Sequence, residues 1–218
     1  MTASRDVFIT GGTGYLGRHL IPLLAAQGHA VRALVRAPSA SKLPEGCAPV
    51  VGDALDGASY RDDVPPADTF VHLVGVSRPN PLKAEQFRKI DLASVEAAVA
   101  AAVAAAVRHF VYVSVAHPSP VMKAYVAVRQ ECEALLRASG LNATILRPWY
   151  ILGPGHWWPY ALVPFYKIFE HFPPTAATSK RLGLVRLPQM IRALHAAIEN
   201  PCEGLRIVTV PQIREGVT

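Results

Sequence analysis

The 218-residue chain has few cysteines, a modest share of charge and no long uninterrupted apolar run. Its three cysteines, Cys47, Cys132 and Cys202, stand in no C-x-x-C pair and beside no metal-spaced histidine. Three thiols cannot all pair within one chain, which speaks against a disulfide scaffold. Reduced thiols in a cytoplasm are expected. The eight histidines form neither H-x-x-x-H nor H-E-x-x-H, so no metal site is expected. The most membrane-like run, Ala97 to Val107, is alanine-rich and bounded by Glu96 and Arg108-His109. A spanning helix needs ~20 strongly apolar residues, so this run reads as a buried helix. Internal repeats and low-complexity linkers are absent. The first residues lead into a strand almost at once, and no signal peptide is expected.

Charged residues make up 17% of the chain and apolar ones 51%, a composition that folds rather than staying disordered. The length suits one domain, or one domain with a small cap. The net charge is +6, from 22 basic and 16 acidic residues. The basic residues are scattered, with no long run and no nucleic-acid motif. They read as solvated surface, and no nucleic-acid partner is expected.

What the chain does have is Val7-Phe8-Ile9-Thr10-Gly11-Gly12-Thr13-Gly14-Tyr15-Leu16-Gly17-Arg18-His19-Leu20. An apolar run ends in a glycine turn, and the turn opens into an amphipathic segment. Gly11, Gly14 and Gly17 follow G-x-x-G-x-x-G. Gly11 permits the tight turn, Gly14 a close backbone approach to a pyrophosphate, and Gly17 close packing of helix on strand. The N–H groups and partial positive charge at the helix start then favour an anion. A glycine turn that binds nothing is the plainer reading, but strand, loop and helix lie in the required order.

Further along, strand and helix alternate. Strands are expected near 6–10, 29–36, 48–51, 69–75, 110–114 and 143–147, and helices near 15–27, 87–107 and 124–139. Short links and right-handed crossovers make this an α/β fold, a doubly wound parallel sheet of Rossmann-like type with a small C-terminal cap. The boundary falls at 1–148 for the nucleotide-binding part and 149–218 for the cap, the two integrated into one domain. Within the cap, residues 149–155 read as a loop, Leu187 to Glu199 as a helix and Leu205 to Val210 as a late strand.

The end of the second strand bears on the cofactor. An NAD site places a carboxylate ~20 residues beyond the glycines, against the ribose 2′-hydroxyl. Here Arg36 stands there, with no carboxylate until Glu45. A guanidinium suits a 2′-phosphate, and Lys42 adds charge, so NADP(H) is favoured over NAD(H). A solvated strand end is the alternative for Arg36. Asp53, after the third strand, is read either as an acceptor for the adenine amino group or as a turn aspartate bonding its own backbone. Gly75 lets the chain pass close to ribose or pyrophosphate, or is a plain loop glycine. The cofactor set is Gly11, Thr13, Gly14, Tyr15, Leu16, Gly17, Arg36, Asp53, Ala54 and Gly75.

Thr10-Gly11-Gly12-Thr13-Gly14-Tyr15-Leu16-Gly17, Gly52-Asp53, a fifth strand ending at Ser114, Tyr125 with Arg129 four residues on, and Arg147-Pro148 followed by Gly153-Pro154-Gly155 together resemble a short-chain dehydrogenase/reductase. The resemblance is to the extended or atypical kind, similar to the NAD-dependent epimerase/dehydratase group, and covers nearly the whole chain. It implies an oxidoreductase with a tyrosine as general acid/base and a lysine four residues later on the same helix face. The lysine bonds the nicotinamide ribose and its charge lowers the tyrosine pKa. A serine or threonine at the end of the fifth strand polarises the substrate oxygen.

On this chain Tyr125 takes the tyrosine's place, and the lysine's place holds Arg129. Arginine keeps the charge but aims a larger fork. Ser114 is near the serine position, which can also be counted one place later, on Val115. Lys123 lies on another side of the helix. Three readings of Tyr125 remain: acid/base, a wall of a cofactor site without family chemistry, or helix packing. Arg129 is alternatively a surface partner for Glu133. The catalytic set is then Tyr125, Arg129 and Ser114, acting on a small, largely apolar carbonyl or alcohol. The other reading is an NADP(H)-binding regulatory or assembly protein. The aromatic run from Trp157 to Phe172 is read as an apolar lid, as the cap's own core or a homodimer face, or, with Lys167, Lys180, Arg181 and Arg186, as a peripheral membrane contact.

Overall fold

The computed structural model describes residues 4–77, 79–155 and 182–216. The aromatic run 157–172, with Lys167, Lys180 and Arg181, lies outside the described residues. The strands in chain order are β1 (Asp6–Thr10), β2 (Ala30–Val35), β3 (Ala48–Val51), β4 (Thr69–His72), β5 (His109–Val113), β6 (Ala143–Leu146), β7 (Tyr150–Leu152), β8 (Leu184–Arg186) and β9 (Leu205–Val208). Seven of them form one parallel sheet in the order β3-β2-β1-β4-β5-β6-β9. The main helices are α1 (Gly17–Ala26), α2 (Ala93–Ala104), α3 (Lys123–Ala138), α4 (Leu187–Glu199) and α5 (Val210–Glu215). This is the expected doubly wound sheet.

The strand period sorts side chains onto two faces. Val7, Ile9, Val71 and Val111 pack with α1 and α4, whose Leu20, Leu24, Leu194 and Ile198 are fully buried. Phe8, Phe70 and Phe110 face the other way, toward Val95 and Ala98 of α2. Phe70 stacks on Phe110 at 5.1 Å between ring centroids, and Phe8 sits 5.2 Å from Phe70. The alanines of α2 let it lie close over these rings. Ala97–Val107 is thus a packed helix and the turn after it. Among the described residues no helix is long and apolar enough to cross a membrane.

Chain order places the site. β2 and β3 run outward on one side of β1, and β4 returns on the other. A crevice therefore opens at the carboxyl ends of β1 and β4, the usual ligand position in such sheets. The boundary at 148/149 does not divide the sheet. β9 and α4, from the segment read as cap, complete the sheet and one of its two cores.

Three local features differ from expectation. Residues 150–152, read as loop, form β7 and pair in parallel with β8. The strand is three residues long and its partner lies 34 positions on, so no period reveals it. The late strand stops at Val208, and α5 begins at Val210. Its signal is in the sequence: Thr209 precedes Pro211 near the helix start, and the Gln212 side chain accepts the Thr209 N–H at 2.8 Å. Finally, Phe87–Leu92 is wound as a π-helix leading into α2 rather than as uniform α-helix.

Candidate functional site

Gly11 has φ +83°, and a Cβ there would lie 2.8 Å from the Leu73 carbonyl carbon in the segment after β4. The turn after β1 and the chain after β4 therefore touch. A Cβ on Gly17 would lie 2.5 Å from the Gly12 oxygen and 2.6 Å from the Gly11 oxygen. Gly17 is what lets α1 begin directly beneath the loop. The helix has no side-chain cap and no acidic residue in its first turn. Its N-terminal N–H groups and dipole are thus directed at the crevice, with no carboxylate of the helix's own first turn to compete. The exposed Gly14, half-buried Thr13, and Tyr15 and Leu16 complete this cradle. A Cβ on Gly153 would run into the Tyr15 hydroxyl, so the segment after β7 lies against the same loop. Gly17→Ala places a methyl against two backbone oxygens that cannot swing aside. It is expected to cost about 1–3 kcal/mol, read by denaturant unfolding, and to weaken cofactor binding in a calorimetric titration.

Around the cradle, Arg36 is exposed at the end of β2, and its guanidinium makes no hydrogen bond or ion pair among the described residues. Lys42 is exposed at the end of the following 3-10 turn. Asp53 Oδ1 accepts the Leu55 N–H at 3.0 Å, the local aspartate turn that was one of its two readings. Ala54 follows it, half-buried. Gly75 is exposed, and a Cβ there would press on the Arg129 guanidinium and lie 2.9 Å from Asp91 Oδ1.

That last contact leads to the second half of the site. α3 carries Tyr125 in its first turn, Arg129 one turn on and Glu133 a turn further. The Tyr125 ring packs on Phe87 at 5.0 Å, and the Arg129 guanidinium lies over its face at 5.1 Å. Arg129 is buried. It pairs with Asp91, donates to the Tyr112 hydroxyl at 3.0 Å and to the Val113 carbonyl at 3.1 Å. Asp91 in turn accepts the Val76 N–H at 3.2 Å. The fork thus turns inward, onto Asp91 and β5. This corrects the expected surface partner, Glu133. On the phenol burial is the larger influence, while the Arg129 charge acts in the expected direction, lowering it. Burial pushes the Tyr125 phenol above its ordinary value; Arg129 opposes but does not reverse this. Asp91 is the functional candidate that sequence reading missed. Its signal was a carboxylate inside an apolar helical run.

Ser114 is buried, and its hydroxyl donates to Glu133 Oε1 at 2.7 Å. Its one proton is therefore directed at a carboxylate rather than toward the crevice. Val115, the alternative position, is buried and carries no donor. Glu133 also receives Arg147 Nε at 2.9 Å, with His117 at 3.4 Å and Arg137 at 3.6 Å. Burial alone would raise the Glu133 carboxyl. The hydrogen bonds from Arg147 and Ser114 outweigh that and hold it below the usual range. His72, beneath the site, is driven down to about 3 by burial and by Arg129, so it is neutral and structural, bonding Thr10 Oγ1 at 2.8 Å.

At the opposite edge of the sheet, ligand atoms of His29, His195 and Glu199 lie within 4.8 Å of one another. The Arg5 N–H donates to His29 Nδ1 at 3.1 Å, which puts the proton of a neutral ring on Nε2, 2.9 Å from Glu199 Oε1. A metal there would have to leave an imidazolate, so the trio reads as a structural contact joining α4 to β2.

Fold, switch-point crevice and glycine cradle together define a dinucleotide-binding α/β protein. Residues 11–155, more than half of the chain, match the family described as NAD(P)H-binding. The chain belongs to that family. Ceramide reductase of Caulobacter vibrioides is 30% identical over 203 residues, covering 91% of this chain and 62% of that protein. A 4-hydroxy-2-methyl-3-oxo-4-farnesyl-3,4-dihydroquinoline-1-oxide ketoreductase of Stigmatella aurantiaca is 29% identical over 168 residues, covering 67% and 50%. The chain thus spans half to three fifths of the length of these relatives. The Bordetella bronchiseptica enzyme WbmH, solved with NAD+, superposes with a TM-score of 0.70 over 94% of this chain and 75% of its own, at 20% identity, a likeness of fold.

Proposed function

We propose that the protein is an NADP(H)-dependent reductase of small, largely apolar carbonyl compounds. The observation that carries this reading is one continuous path along the carboxyl edge of the sheet. The glycine cradle touches Leu73, the same segment reaches Gly75, and Gly75 abuts Asp91 and Arg129 beneath Tyr125. Cradle residues Gly11, Gly14 and Gly17 would hold the pyrophosphate, and Arg36 with Lys42 the 2′-phosphate. A bound reduced nicotinamide supplies a hydride. The chain's own part is to bind, to shield the crevice, and to hold a proton on Tyr125 Oη for the substrate oxygen. The relatives named for reducing a ceramide and a farnesylated quinoline support an apolar substrate. Free thiols suit a cytoplasmic setting.

The test is calorimetric titration with NADPH, NADH and their oxidised forms. NADPH is expected to bind about tenfold or more tighter than NADH, the value of one charge-assisted contact. Arg36→Asp is expected to erase that preference. Binding of none of the four would sink the proposal. A second reading, a cofactor-holding regulatory protein, draws on the commitment of Ser114 to Glu133 and of Arg129 to Asp91. Turnover of any carbonyl substrate at a useful rate decides against it.

A further inference from the structure

The cation beside Tyr125 is not a free one. Burial raises the Asp91 carboxyl; the guanidinium, which stays protonated in proteins, and the Val76 N–H favour its ionised form against that, and the ionised pair has no net charge. Asp91 is completely buried and Arg129 nearly so. The pair joins the π-helical turn Phe87–Leu92, which carries Asp91, to α3, which carries Arg129. Asp91 is also tied to the N–H of Val76, next to Gly75. The charged and titratable groups around the Tyr125 phenol are Arg129 and Cys132 on its own helix and Asp91 on the facing turn, with Tyr112 of β5 behind Arg129.

We propose that Asp91 is a positioning residue for Tyr125: by pairing with Arg129 it offsets the cation beneath the phenol and keeps Tyr125 protonated, a proton donor for carbonyl reduction, across neutral pH. The inference rests on the reading of the protein as an oxidoreductase with Tyr125 as its acid. In reduction the substrate carbon takes up a hydride from the reduced nicotinamide, which is left oxidised. The substrate oxygen takes the proton from Tyr125 Oη, and solvent restores it. A lone cation would favour the phenolate, which has no proton to donate, whereas an offset one leaves the phenol protonated. The upward push that burial exerts on the phenol acts in the same direction.

The test reads tyrosinate absorbance against pH in the intact protein and in Tyr125→Phe; their difference belongs to Tyr125. No ionisation of Tyr125 is expected below its ordinary value of about 10, and a step below that value overturns the proposal. In Asp91→Asn the Arg129 charge is uncovered, and the step is expected to fall by about one unit, a tenfold rise in tyrosinate at a given pH. An unmoved step overturns the role of Asp91. Asp91→Asn risks unfolding, because it strands a buried cation. The paired variant Asp91→Asn/Arg129→Gln removes both charges and is expected to titrate as the intact protein does. A step displaced by about a unit or more in that variant shows that charge balance is not what holds the phenol. None of these readouts needs turnover. A protein that reduces nothing would end the oxidoreductase reading while the titration still decides this one.

Discussion

Tyr125→Phe is expected to lower kcat for carbonyl reduction by about 10²–10⁴-fold, the usual contribution of a positioned acid, while leaving NADPH affinity within about twofold. The substitution removes one oxygen and keeps the ring. The ring's packing on Phe87 and the Arg129 guanidinium over its face depend on the ring alone, so both persist. On the proposed reading cofactor affinity comes from the glycine turn and the end of β2, elements that Tyr125 does not build. Steady-state kinetics beside calorimetry would separate the two quantities. A fall in both together would mean that Tyr125 supports the fold of the crevice. An unchanged kcat would remove it from the chemistry and leave the proton to another group.

How much of this was open to reading in the chain differs between the two halves of the site. The cradle was legible because each of its glycines answers a local demand. Gly11 needs a positive φ, and Gly17 needs the absence of a Cβ. The alternation of strands and helices likewise rests on short-range patterns, and the sheet follows from it. The pairing of buried charges does not. Arg129 has a carboxylate four residues on, at Glu133, the spacing of an ordinary helical ion pair. The structure pairs it instead with Asp91, 38 residues earlier. Both partners lie on helical segments, and only the tertiary packing of the π turn against α3 decides which carboxylate meets which guanidinium. Burial explains the net upward shift at Tyr125 in the same way. A charge four residues away can be counted in a sequence, but the loss of water around a phenol cannot.

Glu133 shows the consequence of that exchange. Freed from Arg129, it ties three elements at the substrate edge: Ser114 at the end of β5, Arg147 after β6, and His117 in the loop between β5 and α3. Glu133→Gln is expected to destabilise the protein by about 3–5 kcal/mol at neutral pH, because it strands Arg147 against a neutral amide. Chemical denaturation measures this directly. The pH dependence fixes the sign. The folded carboxyl titrates below the ordinary value of about 4.5, so the ion-pair contribution is complete above that value and is lost as pH falls through the lower, folded pKa. Wild type and variant should therefore differ most at neutral pH and converge only in acid, below the folded pKa. Arg147 leads through Pro148 into β7, and β7 passes to the Gly153 segment that leans on Tyr15. A loosened Glu133 thus releases the chain that borders the crevice. KM for the carbonyl substrate is expected to rise while NADPH binding, set at the far side of β1, holds. A gap between wild type and variant as wide in acid as at pH 7 would reduce Glu133 to a spectator in a cluster carried by its arginines.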